Sequence, residues 1–257
     1  MVPLMGDKKV TLVLLILCSV LVVLSNSGLV EASGTIYIRA DGSVEGTDKI
    51  QRNGNIYTLT DNINKPLVVE RDNIVIDGAG YCIKGPHASP AQSPEGTGIL
   101  VDSRTNVTIS DVTIQNFLYG ICINSSSKNS ITKSNITSNS KGVFIEHSSD
   151  NRIRESQITN NLDVGVYVFE SSDTHIGENT IENNLNDGVS LVLSSGDLNV
   201  IDYCGMRYNG VGIRIMNSSV RHYVTQNNIT NNSVGVHLEA SSTGVQFNNI
   251  TNNGVGI

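Results

Sequence analysis

Asn160-Asn161-Leu162-Asp163-Val164-Gly165-Val166-Tyr167-Val168-Phe169-Glu170-Ser171-Ser172 and, one period later, Asn183-Asn184-Leu185-Asn186-Asp187-Gly188-Val189-Ser190-Leu191-Val192-Leu193-Ser194-Ser195 decide the fold of this 257-residue chain. Each stretch runs an Asn pair, a glycine, an alternating apolar strand and a Ser-Ser turn. The glycine recurs at Gly98, Gly120, Gly142, Gly165, Gly188, Gly212, Gly235 and Gly256, 21 to 24 residues apart. Self-similarity at such a period is the mark of a solenoid.

The phrase after each glycine, as in Val143/Ile145, Val166/Val168 and Ile213/Ile215, alternates with period two and reads as a strand with one buried face. Ile131/Ile136, Ile153/Ile158 and Ile176/Ile181 mark two further short strands in each period. Three strands and three turns make one coil, and the apolar positions do not fall at helical spacing. The fold class is therefore all-β, a single-stranded parallel β-helix. Each coil leaves its backbone groups unpaired until an equivalent strand lies about 4.8 Å away along the axis, so inward Val and Ile stack into aliphatic columns. Asn at the turns tolerates the left-handed conformation, and its amide can bond the same residue of the next coil as a ladder. Ile158→Asp should unstack neighbouring coils.

Composition agrees. Tryptophan is absent, aromatics are 5% and charged residues 16%, which suits short strands joined by Asn/Gly turns rather than a helical bundle. The net charge is −7 and Lys and Arg are scattered singly, so nucleic acid is not an expected partner. Cys18, Cys82, Cys122 and Cys204 are too far apart for a disulfide framework or a CxxC metal site.

Lys8 and Lys9 precede an apolar run at 10–24 and a small-residue region ending Glu31-Ala32-Ser33, the pattern of a signal peptide over 1–32. The run of about 15 residues is short beside the roughly 20 of a membrane span, so the membrane is met only through this segment, should it stay uncleaved as an anchor. Export to the periplasm, cell surface or medium follows. Residues 33–66 hold strand-like pieces at 35–38 and 56–59 and are expected to cap the coils of 67–257. Residues 85–97, with Pro86, Pro90 and Pro94, read as a lateral loop. The sequence stops at Val255-Gly256-Ile257 as another strand begins, which reads as a piece of a longer array.

Asn73-Ile74-Val75-Ile76-Asp77-Gly78-Ala79-Gly80, followed by Asn-rich coils containing Gly-Ile or Gly-Val, resembles the parallel β-helix repeat proteins grouped with the periplasmic copper-binding protein NosD. More broadly it resembles the right-handed pectate-lyase-like β-helices. The segment from Gly34 to Ser43 resembles the start of archaeal surface versions. The resemblance covers 34–257 and implies the fold; the shared pattern is the scaffold, so it says little about chemistry.

Pectinolytic β-helices need clustered carboxylates. No Asp-Asp pair, Gly-His-Gly or Arg-x-Lys lies on the strands, and Asp150 and Asp173, which share a column, sit in turns where Asp caps backbone. The outward position of the first strand gives Cys122, Phe144, Tyr167, Ser190, Arg214 and His237 on successive rungs. Phe144 and Tyr167 suit stacking against sugar rings, Arg214 and His237 could donate to hydroxyls, and Glu146 and Glu239 could accept from them; the plainer reading is a mixed exposed sheet face. Copper is implied only by the resemblance, since His87, His147, His175, His222 and His237 occupy different phases, Met206 and Met216 are unpaired, and Cys122 and His237 are roughly 24 Å apart at about 4.8 Å per rung. No cofactor or metal is assigned. N-x-S/T sequons at Asn106, Asn124, Asn135, Asn217, Asn228, Asn231 and Asn249 are candidate glycan acceptors.

The leading expectation is an exported, non-catalytic β-helix that is structural or binds carbohydrate or another surface polymer. One alternative is a polysaccharide lyase, hydrolase or epimerase with its acidic site in the 85–97 loop or in further coils. Another is a NosD-like accessory protein for copper-site maturation.

Overall fold

A computed structural model describes residues 34–85, 96–194, 198–219 and 221–257. The segment expected to direct export, His87 and most of the expected lateral loop lie outside these residues.

Three sheets of ten, ten and eight strands run along one axis, and each coil from residue 67 onward contributes one strand to each. One coil shows the plan: Lys141–Glu146 in the first sheet, Arg152–Arg154 in the second and Gln157–Thr159 in the third. Phe144 sits over Tyr167, Ile153 over Ile176 and Ile158 over Ile181, all in parallel register. Val143, Ile145, Ile153 and Ile158 are fully buried, and their equivalents form columns through one continuous core. Burial of each such side chain stabilises the fold by about 1.5–3 kcal/mol before ordering costs are subtracted. The fold is the parallel β-helix expected from the repeat.

The first coil starts earlier than the expected boundary at 67. Ile36–Ile38 pairs in parallel with Leu67–Val69, and Ile56–Leu59 pairs in parallel with Ile74–Asp77. Residues 34–66 thus form a coil and also carry its cover. Val44–Glu45 and Ile50–Asn53 add as antiparallel edge strands, so the outermost rungs of two sheets are paired. Tyr57 Oη, fully buried, donates to the Gly42 carbonyl at 3.0 Å and ties cover to coil.

Most corners between sheets repeat one device, a left-handed residue followed by a buried polar one. The third corner is the most regular: Asn116, Ser138, Asn160, Asn183, Tyr208, Asn231 and Asn252 have positive φ, and Asn139, Asn161, Asn184, Asn209, Asn232 and Asn253 follow six of them. Each following Asn holds the coil before it. Asn184 Oδ1 accepts from the Asn161 backbone N–H at 3.1 Å and its Nδ2 at 2.9 Å, while Asn184 Nδ2 donates to the Ile158 carbonyl at 3.1 Å. The ladder satisfies backbone groups that the turn takes out of the sheets.

The glycine that marks the period answers to this ladder. A Cβ on Gly142 would lie 2.5 Å from the Gly165 carbonyl oxygen and 2.9 Å from both Asn161 Nδ2 and Ile158 Cγ2. The strand enters the first sheet too close to the amide column for any side chain.

Candidate functional site

The register of the first sheet places Cys122, Phe144, Tyr167, Ser190, Arg214 and His237 on consecutive rungs. They are not equally presented. Cys122 and Ser190 are buried, whereas Phe144, Tyr167, Arg214 and His237 are half-buried. Tyr119 stacks on Phe144 with centroids 5.0 Å apart, Phe144 on Tyr167 at 5.6 Å, and Tyr167 on Phe169 at 6.4 Å. Tyr119 and Phe169 join this aromatic patch from strand positions that the single-column reading passed over. Offset stacks of this kind contribute about 0.5–1.5 kcal/mol per pair beyond area burial.

Beside the patch, the small Ser190 leaves a notch between Tyr167 and Arg214. It opens into a groove of about 440 Å3, lined also by Lys141, Asp163, Asn186, Asp187 and Met216. Lys141 Nζ lies 2.5 Å from Asp163 Oδ2 and 5.7 Å from the centre of the Tyr167 ring. Asn186 Nδ2 donates to Asp163 Oδ1 at 2.7 Å. Arg214 grips the buried Asp187 with two bonds, Nε to Oδ2 at 2.8 Å and Nη2 to Oδ1 at 3.0 Å. That pairing raises the guanidinium pKa further, and burial raises that of the Tyr167 phenol, so the groove presents a cation and a neutral hydroxyl at ordinary pH.

Of the residues expected to bind, the structure brings Phe144, Tyr167 and Arg214 together. Arg214 enters already paired, so it is not the unengaged donor the sequence suggested; Asp187, one rung earlier, holds two of its nitrogens. His237 and Glu239 lie 3.8 Å from one another on the last rung of the sheet and do not line the groove. Glu146 is 3.8 Å from His147, which lies 2.9 Å from Glu170, and these groups flank the far side of the patch. The sequence reading missed Lys141, Asp163 and Asp187. A signal was present: the residue before the glycine is Val164, Val211 or Val234 in three coils, and Lys141 and Asp187 place charges at the same position.

Other reactive groups are committed elsewhere. His222 is fully buried, and its Nδ1 accepts from the Asn199 N–H at 3.1 Å, so Nε2 carries the proton and donates to Ser218 Oγ. Ser218 Oγ in turn donates to the Ser194 carbonyl at 3.1 Å. A serine nucleophile needs the opposite polarity, with its proton aimed at the imidazole, so this pair is a rung of a corner ladder. Burial pushes the thiols of Cys122 and Cys204 up to about 12, which keeps them protonated at neutral pH. Among the described residues there is no group of three or more His, Cys, Asp or Glu placed to hold a metal ion. Asp150, in its left-handed turn, pairs with Arg152 at 2.8 Å.

Five sequon asparagines, Asn106, Asn217, Asn228, Asn231 and Asn249, are exposed, and Asn124 and Asn135 are half-buried. Asn124 Nδ2 donates to Asp102 at 2.7 Å and Asn249 Nδ2 to Asn228 at 2.9 Å.

Residues 97–254 match the family profile described as the right handed beta helix region. The chain belongs to the right handed beta helix family. No curated protein matches it. Among solved structures, this β-helix is similar to pectate lyase Pel9A, with a TM-score of 0.56 and 18% identity over 76% of this chain and 55% of that one. It is similar to the periplasmic alginate epimerase AlgG, with a TM-score of 0.53 and 13% identity over 72% of this chain and 50% of that one. It is also similar to full-length tailspike protein 2 from an Escherichia coli O157:H7 bacteriophage, with a TM-score of 0.54 and 17% identity over 75% and 31%. At these identities the likeness is one of fold, and the chain spans about half the length of the first two structures.

Proposed function

We propose that this β-helix is an exported protein that binds a polysaccharide or similar surface polymer across its first sheet, without transforming it. The observation that carries this reading is the run of stacked aromatics Tyr119, Phe144, Tyr167 and Phe169 opening onto the groove beside Ser190. Sugar rings present flat C–H faces that pack on aromatic rings, and their hydroxyls need donors and acceptors at the rim. Lys141, Asp163, Asn186 and Arg214 supply both. The resemblance to NosD-grouped and archaeal surface proteins, and the apolar run at 10–24, support the export part of the reading.

The test is retardation of the purified protein in native gels containing soluble polysaccharides. Tyr167→Ala and Phe144→Ala should each abolish it. Retardation that survives both substitutions would remove the first sheet as the binding face.

A second reading, a carbohydrate-active enzyme, is favoured by one observation: two carboxylates, Asp163 and Asp187, line the same groove. Appearance of reducing or unsaturated ends on incubation with a bound polymer, lost in Asp163→Asn, would replace the binding reading with this one.

A further inference from the structure

We infer that the polymer taken by the groove is uncharged, and that a polyuronate is turned away. This rests on the polysaccharide-binding reading above and narrows it to a substrate class.

The cations are where a sugar carboxylate would be expected to dock, yet both already hold a carboxylate. Arg214 spends Nε and Nη2 on Asp187 in the fork geometry that an incoming uronate would need. Asp187 has a side chain only 9% exposed, so it is not a rim group that swings aside. Lys141 is held by Asp163, which Asn186 fixes from its other oxygen. The groove therefore carries two positive and two negative charges in closed pairs. A uronate would have to displace one of these carboxylates or lie beside it, and either leaves a partly buried charge without its partner.

An uncharged sugar meets no such obstacle. All four carboxylate oxygens of Asp163 and Asp187 are engaged, but each keeps a further lone pair that accepts from a hydroxyl without breaking the ion pairs, and Arg214 Nη1, which makes no hydrogen bond among the described residues, can donate. Tyr167 offers a ring face beside the notch left by Ser190. The protein's net charge of −7 opposes a polyanion at longer range.

The experiment compares the full chain in native affinity gels with galactomannan, xyloglucan and dextran against polygalacturonate and alginate, at low and at high salt. The expected result is retardation by at least one uncharged polymer, about ten-fold stronger than by either polyuronate and unchanged by salt. Asp187→Asn should free Arg214 and strengthen retardation by polygalacturonate about ten-fold in low salt, with Asp163→Asn as the second variant in case the first does not fold. Wild-type protein retarded more by a polyuronate than by every uncharged polymer, with loss in Tyr167→Ala, would overturn this inference and leave the binding face standing. Folded variants with no gain for polygalacturonate would overturn the charge-pair basis. Retardation by none of the polymers would overturn the binding reading itself and this inference with it.

Discussion

The Asn corner and the groove of the first sheet are built by the same period and obey opposite rules. From Asn139 to Asn253 the corner repeats one residue in one geometry on six successive rungs, each bonded to the rung before. Across the groove the rungs differ: Lys141, Val164, Asp187 and Val211 occupy one position, and Phe144, Tyr167, Ser190 and Arg214 another. Inside, each rung must satisfy the same backbone groups of an identical neighbour, so identity is enforced. Outside, no such requirement acts, and departures from the repeat create a concave, charged surface on that sheet face. Repetition marks what holds the solenoid together; irregularity marks where it can do chemistry.

The largest break of this contrast lies in the core. Ile158→Asp would place a charge in a column whose members are fully buried, and should cost more than about 5 kcal/mol. Loss of the cooperative thermal transition by circular dichroism is expected; a melt like that of the parent would refute the register. Asn184→Ala should come next, at about 3 kcal/mol in urea denaturation, because it strands the Asn161 N–H and the Ile158 carbonyl inside the helix. The same truncation on the groove face should be far milder. Tyr167→Ala should cost about 1 kcal/mol of stability, while eliminating polymer retardation, since its ring is half-buried and packs mainly on Phe144 and Phe169.

Between these extremes sits His222, a ladder rung that can titrate. Burial lowers its pKa, so the folded protein refuses a proton that the unfolded chain accepts below about pH 6.5. Its contribution is therefore complete above that pH and is lost as the solution is acidified, by up to about 1.4 kcal/mol per pH unit. Melting temperature should fall between pH 7 and pH 5, and His222→Asn, which restores the residue found at Asn129, Asn151 and Asn199, should flatten that fall. An equal slope in the variant would assign the acid sensitivity to other groups.

Much of the scaffold could be read in advance. The spacing from Gly98 to Gly235 set the coil, and the alternation of Val143 and Ile145 or Ile213 and Ile215 set which face is buried. The Asn amide ladder was anticipated, as was the left-handed turn at Asn160, Asn183, Asn231 and Asn252. Less visible were the left-handed turns at Lys128, Glu155, Glu178, Leu193, Tyr203 and Phe247, residue types that carry no turn signal. Each costs about 1–2 kcal/mol in that conformation. The corner is held by the buried residue that follows, such as Asn129, Ser156 or Asn179, so the left-handed residue itself points to solvent and its type is unconstrained. The role of Tyr57, and the earlier start of the first coil, were hidden for a related reason. They depend on which distant segment lies alongside.

By itself the sequence determined the period, the inward columns and the Asn corner, because stacking makes each coil its own neighbour and a local pattern then fixes a long-range contact. The aromatic column could be numbered off in the same way. Only the tertiary structure decided that Asp187 closes on Arg214, that Asp163 closes on Lys141 and that Ser190 leaves a notch beside Tyr167. Those side chains belong to different coils and different strand positions, and their meeting depends on rotamer and bulk on a face where the repeat imposes nothing.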